Sequence, residues 1–168
     1  ILRQMGAKIS LTNEIEVGGE PVADIRVQYA KLVGIEIPES QVPLAIDEFP
    51  AIFIAAACAQ GETILTGAKE LRVKESDRIQ SMADGLNTLG IDAMATADGI
   101  RIVGGEIGSG RVLSHHDHHI SMAFSISCLP SQREIIFEDC SNVSTSFPDF
   151  IVCAASVGLV INTETVND

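Results

Sequence analysis

The sequence predicts an α/β protein built by repeating one unit of helices and short strands, and three observations predict it. Asp47-Glu48-Phe49-Pro50 leads through an apolar helical segment to Cys58, and seventy residues later Asp117-His118-His119-Ile120 leads through a similar segment to Cys128. A strand-type run follows each copy, Thr63 to Thr66 in the first and Glu134 to Phe137 in the second. A polar stretch then opens a further helix in each, around Glu75 to Arg78 and Thr145 to Pro148, and these helices close at Gly90 and Gly158. Self-similarity at a fixed period is the mark of a repeat architecture, in which each unit buries its apolar face against the next.

Taken in order, Ile1 to Met5 read as the last turn of a helix that begins upstream, so the chain is expected to be a piece of something longer. Met5 to Ile9 and Asp24 to Val27 read as the tail of a preceding copy. In the first full copy Asp47 stands where a helix N-cap belongs, Pro50 falls in the first turn, where its missing N–H costs nothing, and Gly61 follows the helix. Ile79, Met82, Ala83, Leu86 and Leu89 recur at the helical period. Ile91 to Ala95 and Ile100 to Val103 read as a hairpin whose turn, Ala97-Asp98-Gly99, demands positive φ at Gly99. The unit is therefore helix, strand, helix, strand, strand, and residues 1–168 form a single domain of about two and a half such units.

Of the 168 residues 46% are hydrophobic and 20% charged, a balance that supports a packed core rather than disorder. No apolar run approaches the roughly 20 residues of a membrane span, and the first residues lack the pattern of a signal peptide. Eleven Lys and Arg against 23 Asp and Glu leave a net charge of −12, which disfavours nucleic acid and anionic membranes as partners. An anionic ligand must then be met by a local cluster of cations. The four cysteines show no C-x-x-C pair and lie mostly in apolar runs, so buried free thiols in a cytoplasmic protein are expected.

Three stretches carry candidate chemistry. Lys69 to Arg78 places four of the eleven cations in ten residues at the mouth of a helix, where backbone N–H groups add to them; it reads as a phosphate or carboxylate clamp or as a solvated charged loop. Asp47-Glu48 sits between an apolar run and a helix start, suiting either a cap or a general base. Ser114-His115-His116-Asp117-His118-His119-Ile120 holds every histidine of the chain. His115 and His119 share a face only if both are helical, with Asp117 as an awkward third ligand, so a metal site is the weaker reading of this stretch.

In order along the chain, Gly19-Glu20-Pro21-Val22-Ala23-Asp24-Ile25, Ile46-Asp47-Glu48-Phe49-Pro50, Leu71-Arg72-Val73-Lys74-Glu75-Ser76-Asp77-Arg78, Ser114-His115-x-Asp117-His118 and Thr145-Ser146-Phe147-Pro148-Asp149-Phe150 resemble the 5-enolpyruvylshikimate-3-phosphate synthase family, the 3-phosphoshikimate 1-carboxyvinyltransferases. The most specific string is LRVKESDR. The resemblance implies the enolpyruvyl transferase fold, an inside-out α/β barrel of βαβαββ units, of which this chain would be most of the C-terminal half. It implies transfer of the enolpyruvyl group of phosphoenolpyruvate to the 5-hydroxyl of shikimate 3-phosphate in aromatic amino-acid and chorismate biosynthesis, with no cofactor and no metal.

By position, the resemblance makes Asp47 the base for the 5-hydroxyl and Glu75 the acid that protonates the methylene carbon. Lys74 would contact shikimate 3-phosphate, Arg78 would hold phosphoenolpyruvate, and His118 and His119 would belong to the same ligand loop. The family's other domain would be the partner that supplies further basic residues and the serines for the shikimate phosphate, so this chain alone should be inactive. Thr145 stands where some members carry Lys. A larger departure is His119, because the family string ends Asp-His-Arg and that Arg is a further phosphoenolpyruvate ligand. A neutral imidazole lacks the bidentate fork, and the loss of one charge-assisted hydrogen bond is worth about 1.5–3 kcal/mol. A non-catalytic fragment that binds a phosphorylated ligand or partner chain is the alternative.

Overall fold

The computed structural model describes residues 1–131 and 133–164. The chain opens on a turn, Ile1 to Gly6, closed by the Met5 N–H on the Ile1 carbonyl. A hairpin follows, β1 (Lys8–Val17) and β2 (Glu20–Gln28), antiparallel with a register shift between Thr12 and Ile15. Ile9 faces Val27 and Leu11 faces Ile25 across it, so alternation puts these four apolar side chains on one face, while beyond the register shift Ile15 and Val22 pair on the other. The first of these faces is open: Leu11, Ile25 and Val27 are 39%, 69% and 66% exposed.

Next come α1 (Phe49–Ala57), β3 (Glu62–Leu65), α2 (Arg78–Thr88), β4 (Asp92–Ala95) and β5 (Ile100–Val103), with β5 central between antiparallel β3 and β4. The free edge of β3 is taken by an extended segment around Val33 to Ile37. Val33 bridges Gln60 and Glu36 bridges Ile64 in parallel, and the N–H groups of Gly34 and Ile37 donate to the Gln60 and Ile64 carbonyls. The complete unit therefore begins with a strand that the repeat pattern alone did not show, and its order is βαβαββ, as the resemblance implies. A parallel pair joined through a helix is the way two parallel neighbours connect in one sheet. The second copy repeats this opening with β6 (Gly110–Leu113), α3 (His118–Ser131) and β7 (Ile135–Glu138), β6 and β7 being parallel; α4 (Val143–Ser146) and α5 (Phe150–Ser156) follow. The described residues hold the closing hairpin of one unit, one complete unit, and the first part of another.

The core lies between the helices and the three-stranded sheet. Phe49 and Phe53 of α1, Ile79, Met82 and Leu86 of α2, Ile100 and Ile102 of β5, and Phe124 of α3 are all at most 1% exposed. The periodic residues expected on α2 are indeed its buried face. At Gly85 a Cβ would stand 2.3 Å from Phe124 Cζ, so α2 and α3 approach closely because that side chain is missing. Gly85→Ala is expected to destabilise the fold by about 1–2 kcal/mol, overpacking outweighing the helix propensity gained. Urea unfolding measures it, and an unchanged or raised midpoint would contradict the tight contact.

Three expectations are corrected here. Gly99 does not adopt positive φ; it is required because a Cβ would lie 1.8 Å from the Leu65 carbonyl oxygen where the turn passes β3. Asp47 does not cap α1, whose N-cap is Glu48 with no side-chain bond, because the Asp47 carboxylate is engaged elsewhere. The cysteines are free, yet none is buried: Cys58 and Cys153 are exposed and Cys128 and Cys140 half-buried. Cys58 sits at the end of α1, and α5 buries only Ala154, so an apolar neighbourhood in sequence did not mean burial in space. No described helix is long and apolar enough to cross a membrane.

Candidate functional site

Three helix starts converge on one side chain. Arg78 is the first residue of α2 and is fully buried, and its guanidinium reaches the residues that precede α1 and α3. Nε donates to Asp117 Oδ2 at 2.9 Å, Nη1 to Asp47 Oδ1 at 2.8 Å, and Nη2 to Glu75 Oε2 at 2.6 Å. The Nδ1 of His119 lies 2.7 Å from Nη2. Asp47 and Asp117, equivalent in the repeat, thus meet on opposite edges of one arginine. Lys74 joins from the side, 2.8 Å from Glu70 and 3.3 Å from Asp47.

Local sequence explains how the loop before α2 is held. Asp77 caps the helix, its Oδ1 accepting from the Gln80 N–H at 3.0 Å, while its Oδ2 binds Arg72 Nη1 at 2.6 Å. Arg72 also donates from Nε to the Ala97 carbonyl at 3.1 Å and from Nη2 to that of Thr96, tying the loop to the β4–β5 turn. Of the cations expected to form a clamp, Arg72 is therefore a structural tether. Around Arg72, Lys74 and Arg78 stand five carboxylates, Asp47, Glu70, Glu75, Asp77 and Asp117, so these cations are internally matched.

Asp117, the repeat counterpart of Asp47 and an awkward third metal ligand by sequence, is the innermost group of the site. Its side chain is fully buried; Oδ2 also accepts from Ser76 Oγ at 3.0 Å, and Oδ1 accepts from the His119 N–H at 2.9 Å, capping α3. Burial alone would raise its carboxyl, but the hydrogen bond and charge of Arg78, with Ser76 and the His119 N–H, hold it below the usual range. Asp47 is half-exposed, and there too Arg78 and Lys74 prevail over burial and lower the pKa. Glu70 above all, with Asp47, raises that of Lys74 against a smaller effect of burial. The signal available in the sequence for Asp117 was its repeat equivalence to Asp47.

The histidine run divides in two. His115 and His116 adopt left-handed φ of 53° and 57°, so His115 is not helical and shares no face with His119. His118 and His119 open α3 with their rings 4.2 Å apart. Ligand atoms of Asp117, His118 and His119 do lie within 4.8 Å of one another. The group does not suit a metal, however, because Asp117 is already shared by Arg78, Ser76 and the α3 backbone, and a permanent guanidinium touches His119.

Arginine can only donate, so His119 accepts at Nδ1 and is neutral with its proton on Nε2. Burial first, then the charges of Arg78 and His118, lower its pKa. A histidine depressed on folding binds fewer protons than in the unfolded chain, whose value is about 6.5. Its contribution is complete above about pH 6.5 and is lost as pH falls through the folded value. Wild-type stability is therefore expected to decline on acidification from about pH 6.5, and His119→Gln to flatten that slope while leaving the steeper loss below about pH 4 from Asp47 and Asp117. Urea midpoints across pH 3.5 to 7.5 test this, and an identical slope in the variant would contradict it.

A repeated βαβαββ fold whose helix starts gather carboxylates, a lysine and an arginine into one polar cluster defines an α/β repeat protein. Comparison with known proteins makes that particular. The sequence profile described as "EPSP synthase (3-phosphoshikimate 1-carboxyvinyltransferase)" matches residues 1–152, and the chain belongs to this family. It is 63% identical over 161 residues to the 3-phosphoshikimate 1-carboxyvinyltransferase of Methylococcus capsulatus and 62% identical to that of Nitrosococcus oceani. Each alignment covers 96% of this chain but only 37% and 36% of those relatives. Among solved structures, EPSP synthase from Acinetobacter baumannii superimposes with a TM-score of 0.93 at 54% identity, over 96% of this chain and 38% of that one. The chain thus spans a little over a third of the length of its relatives.

Proposed function

We propose that this chain supplies part of the active site of a cytoplasmic 3-phosphoshikimate 1-carboxyvinyltransferase, as most of its C-terminal half. The reaction joins the enolpyruvyl group of phosphoenolpyruvate to the 5-hydroxyl of shikimate 3-phosphate and releases phosphate. The observation that carries this reading is the convergence of Asp47, Glu75 and His119 on Arg78, with Lys74 on Asp47. An acid, a base and two fixed cations stand within reach of one another, as a transfer between two anions requires.

In this reading Asp47 takes the proton of the 5-hydroxyl. Its lowered pKa makes it a carboxylate at neutral pH, ready to accept. Glu75 delivers a proton to the methylene carbon, Lys74 contacts shikimate 3-phosphate, and Arg78, with His118 and His119 beside it, holds phosphoenolpyruvate. The remainder of the site would come from the part of the relatives' length that this chain does not span, and the open apolar face of β1–β2 fits a chain that packs against more protein.

The test is complementation. Alone, the chain should release no phosphate from the two substrates; mixed with the remaining, N-terminal portion of the Methylococcus capsulatus relative, it should turn over, and Asp47→Asn and Glu75→Gln should each reduce the rate by about 10²-fold or more. Ordinary turnover by the chain alone would sink the part-site reading. A folded complex without turnover would favour instead a non-catalytic binding fragment, to which the histidine at position 119 already points.

A further inference from the structure

Arg78 has two edges, and the structure treats them differently. The Nε edge faces Asp117, which is fully buried and is held in turn by Ser76 Oγ and the His119 N–H. The Nη1 and Nη2 edge faces Asp47 and Glu75, whose side chains are 50% and 52% exposed. One edge is anchored inside the protein and the other is closed by two carboxylates that water can reach, together with His119 Nδ1 on Nη2. Those carboxylates occupy the position that an incoming carboxylate or phosphate would need, since a guanidinium offers its Nη pair as one fork.

We propose that Asp117 is a positioning residue for Arg78, fixing its Nε edge so that the Nη edge is offered to an anion, and that Asp47 and Glu75 mask this edge until the anion displaces them. This rests on the reading of the site as one that takes phosphorylated anions, and adds how it is kept closed without them. Anion binding is then an exchange: the ligand's oxygens replace those of Glu75 and Asp47 on Nη2 and Nη1, while the bond from Nε to Asp117 stays.

Nitrogen-15 NMR of the arginine side chains of this chain, with inorganic phosphate as the probe, tests both parts. In the wild type the Arg78 Nε–H should exchange slowly with water and stay unshifted on adding phosphate, while the Nη signals move. Glu75→Gln, which removes one competing charge, should bind phosphate about three- to tenfold more tightly. Asp117→Asn should speed Nε–H exchange and weaken phosphate binding, and Ser76→Ala, a milder change beside the same carboxylate oxygen, should do both to a smaller degree. Glu75→Gln binding phosphate no better than wild type would overturn the masking. An Nε–H that exchanges freely in the wild type, or shifts most on adding phosphate, would overturn the positioning role. Absence of phosphate binding in both wild type and Glu75→Gln would instead defeat the underlying anion-site reading, with the exchange rate of Nε–H still deciding the role of Asp117.

Discussion

Replacing Arg78 by leucine is expected to cost about 3–5 kcal/mol of folding stability, more than any core methylene the same helix could lose. The reason lies in what stays behind. Asp117 is fully buried, and without the guanidinium its carboxylate keeps only the Ser76 hydroxyl and the His119 N–H. A buried charge that loses its partner carries the whole desolvation penalty unless it takes up a proton. Equilibrium unfolding in urea at pH 7.5 measures the loss. Part of it should return on acidification, because a neutral Asp117 no longer needs a cation, and this pH response separates an orphaned charge from a simple packing defect. Arg78→Leu combined with Asp117→Leu should recover most of the stability, since an apolar pair often replaces a buried ion pair without loss. If the single variant lost less than about 1 kcal/mol, Asp117 would have to be hydrated and the account of the site would fail.

Much of the fold was legible because the helices announce themselves locally. The α2 stripe, Pro50 in the first turn of α1 and the seventy-residue offset between α1 and α3 each depend on residues close in sequence. The strands that open the units were not legible. Val33 to Ile37 has Gly34 inside it and pairs only through isolated bridges, and β6, Gly110-Arg111-Val112-Leu113, starts on a glycine and holds only two apolar residues, so neither shows the β-type composition that marked β3 and β7. Gly99 shows a different limit. A glycine after Asp in a hairpin suggests positive φ, whereas its true constraint is the Leu65 carbonyl, contributed by a strand over thirty residues earlier.

The site divides along the same line. Residue types and the resemblance marked Asp47, Lys74, Glu75, Arg78 and His119, and the fold brings all five into one connected cluster. What stayed hidden was the balance of charge. Four cations in ten residues look basic in a string of letters, yet Asp47 is thirty-one residues from Arg78 and Asp117 thirty-nine, and both are hydrogen-bonded to it. An anion site read from a local run of lysines and arginines is, in space, a cluster whose cations are already engaged.

His119→Arg, placed in the complemented enzyme, is expected to tighten phosphoenolpyruvate binding roughly ten- to hundredfold, the worth of about 1.5–3 kcal/mol for a restored charge-assisted hydrogen bond. The surroundings of position 119 favour the change. His119 now accepts one bond from Arg78 and adds no charge, in a cluster where five carboxylates face Arg72, Lys74 and Arg78. A second guanidinium would find Glu75 and Asp117 near enough to offset its repulsion from Arg78, and it would bring a fork that imidazole lacks. It would also remove an imidazole whose pKa burial and the charges of Arg78 and His118 hold below the ordinary value, so the pH dependence of phosphoenolpyruvate binding on the acid side of about pH 6.5 should flatten together with the gain in affinity. The Michaelis constant for phosphoenolpyruvate across that range reads both effects. An unchanged constant would mean that position 119 does not face the substrate. A tighter constant with the pH dependence intact would mean that the pH dependence does not arise at position 119, and His118, whose ring lies 4.2 Å from that of His119, would be the next to replace.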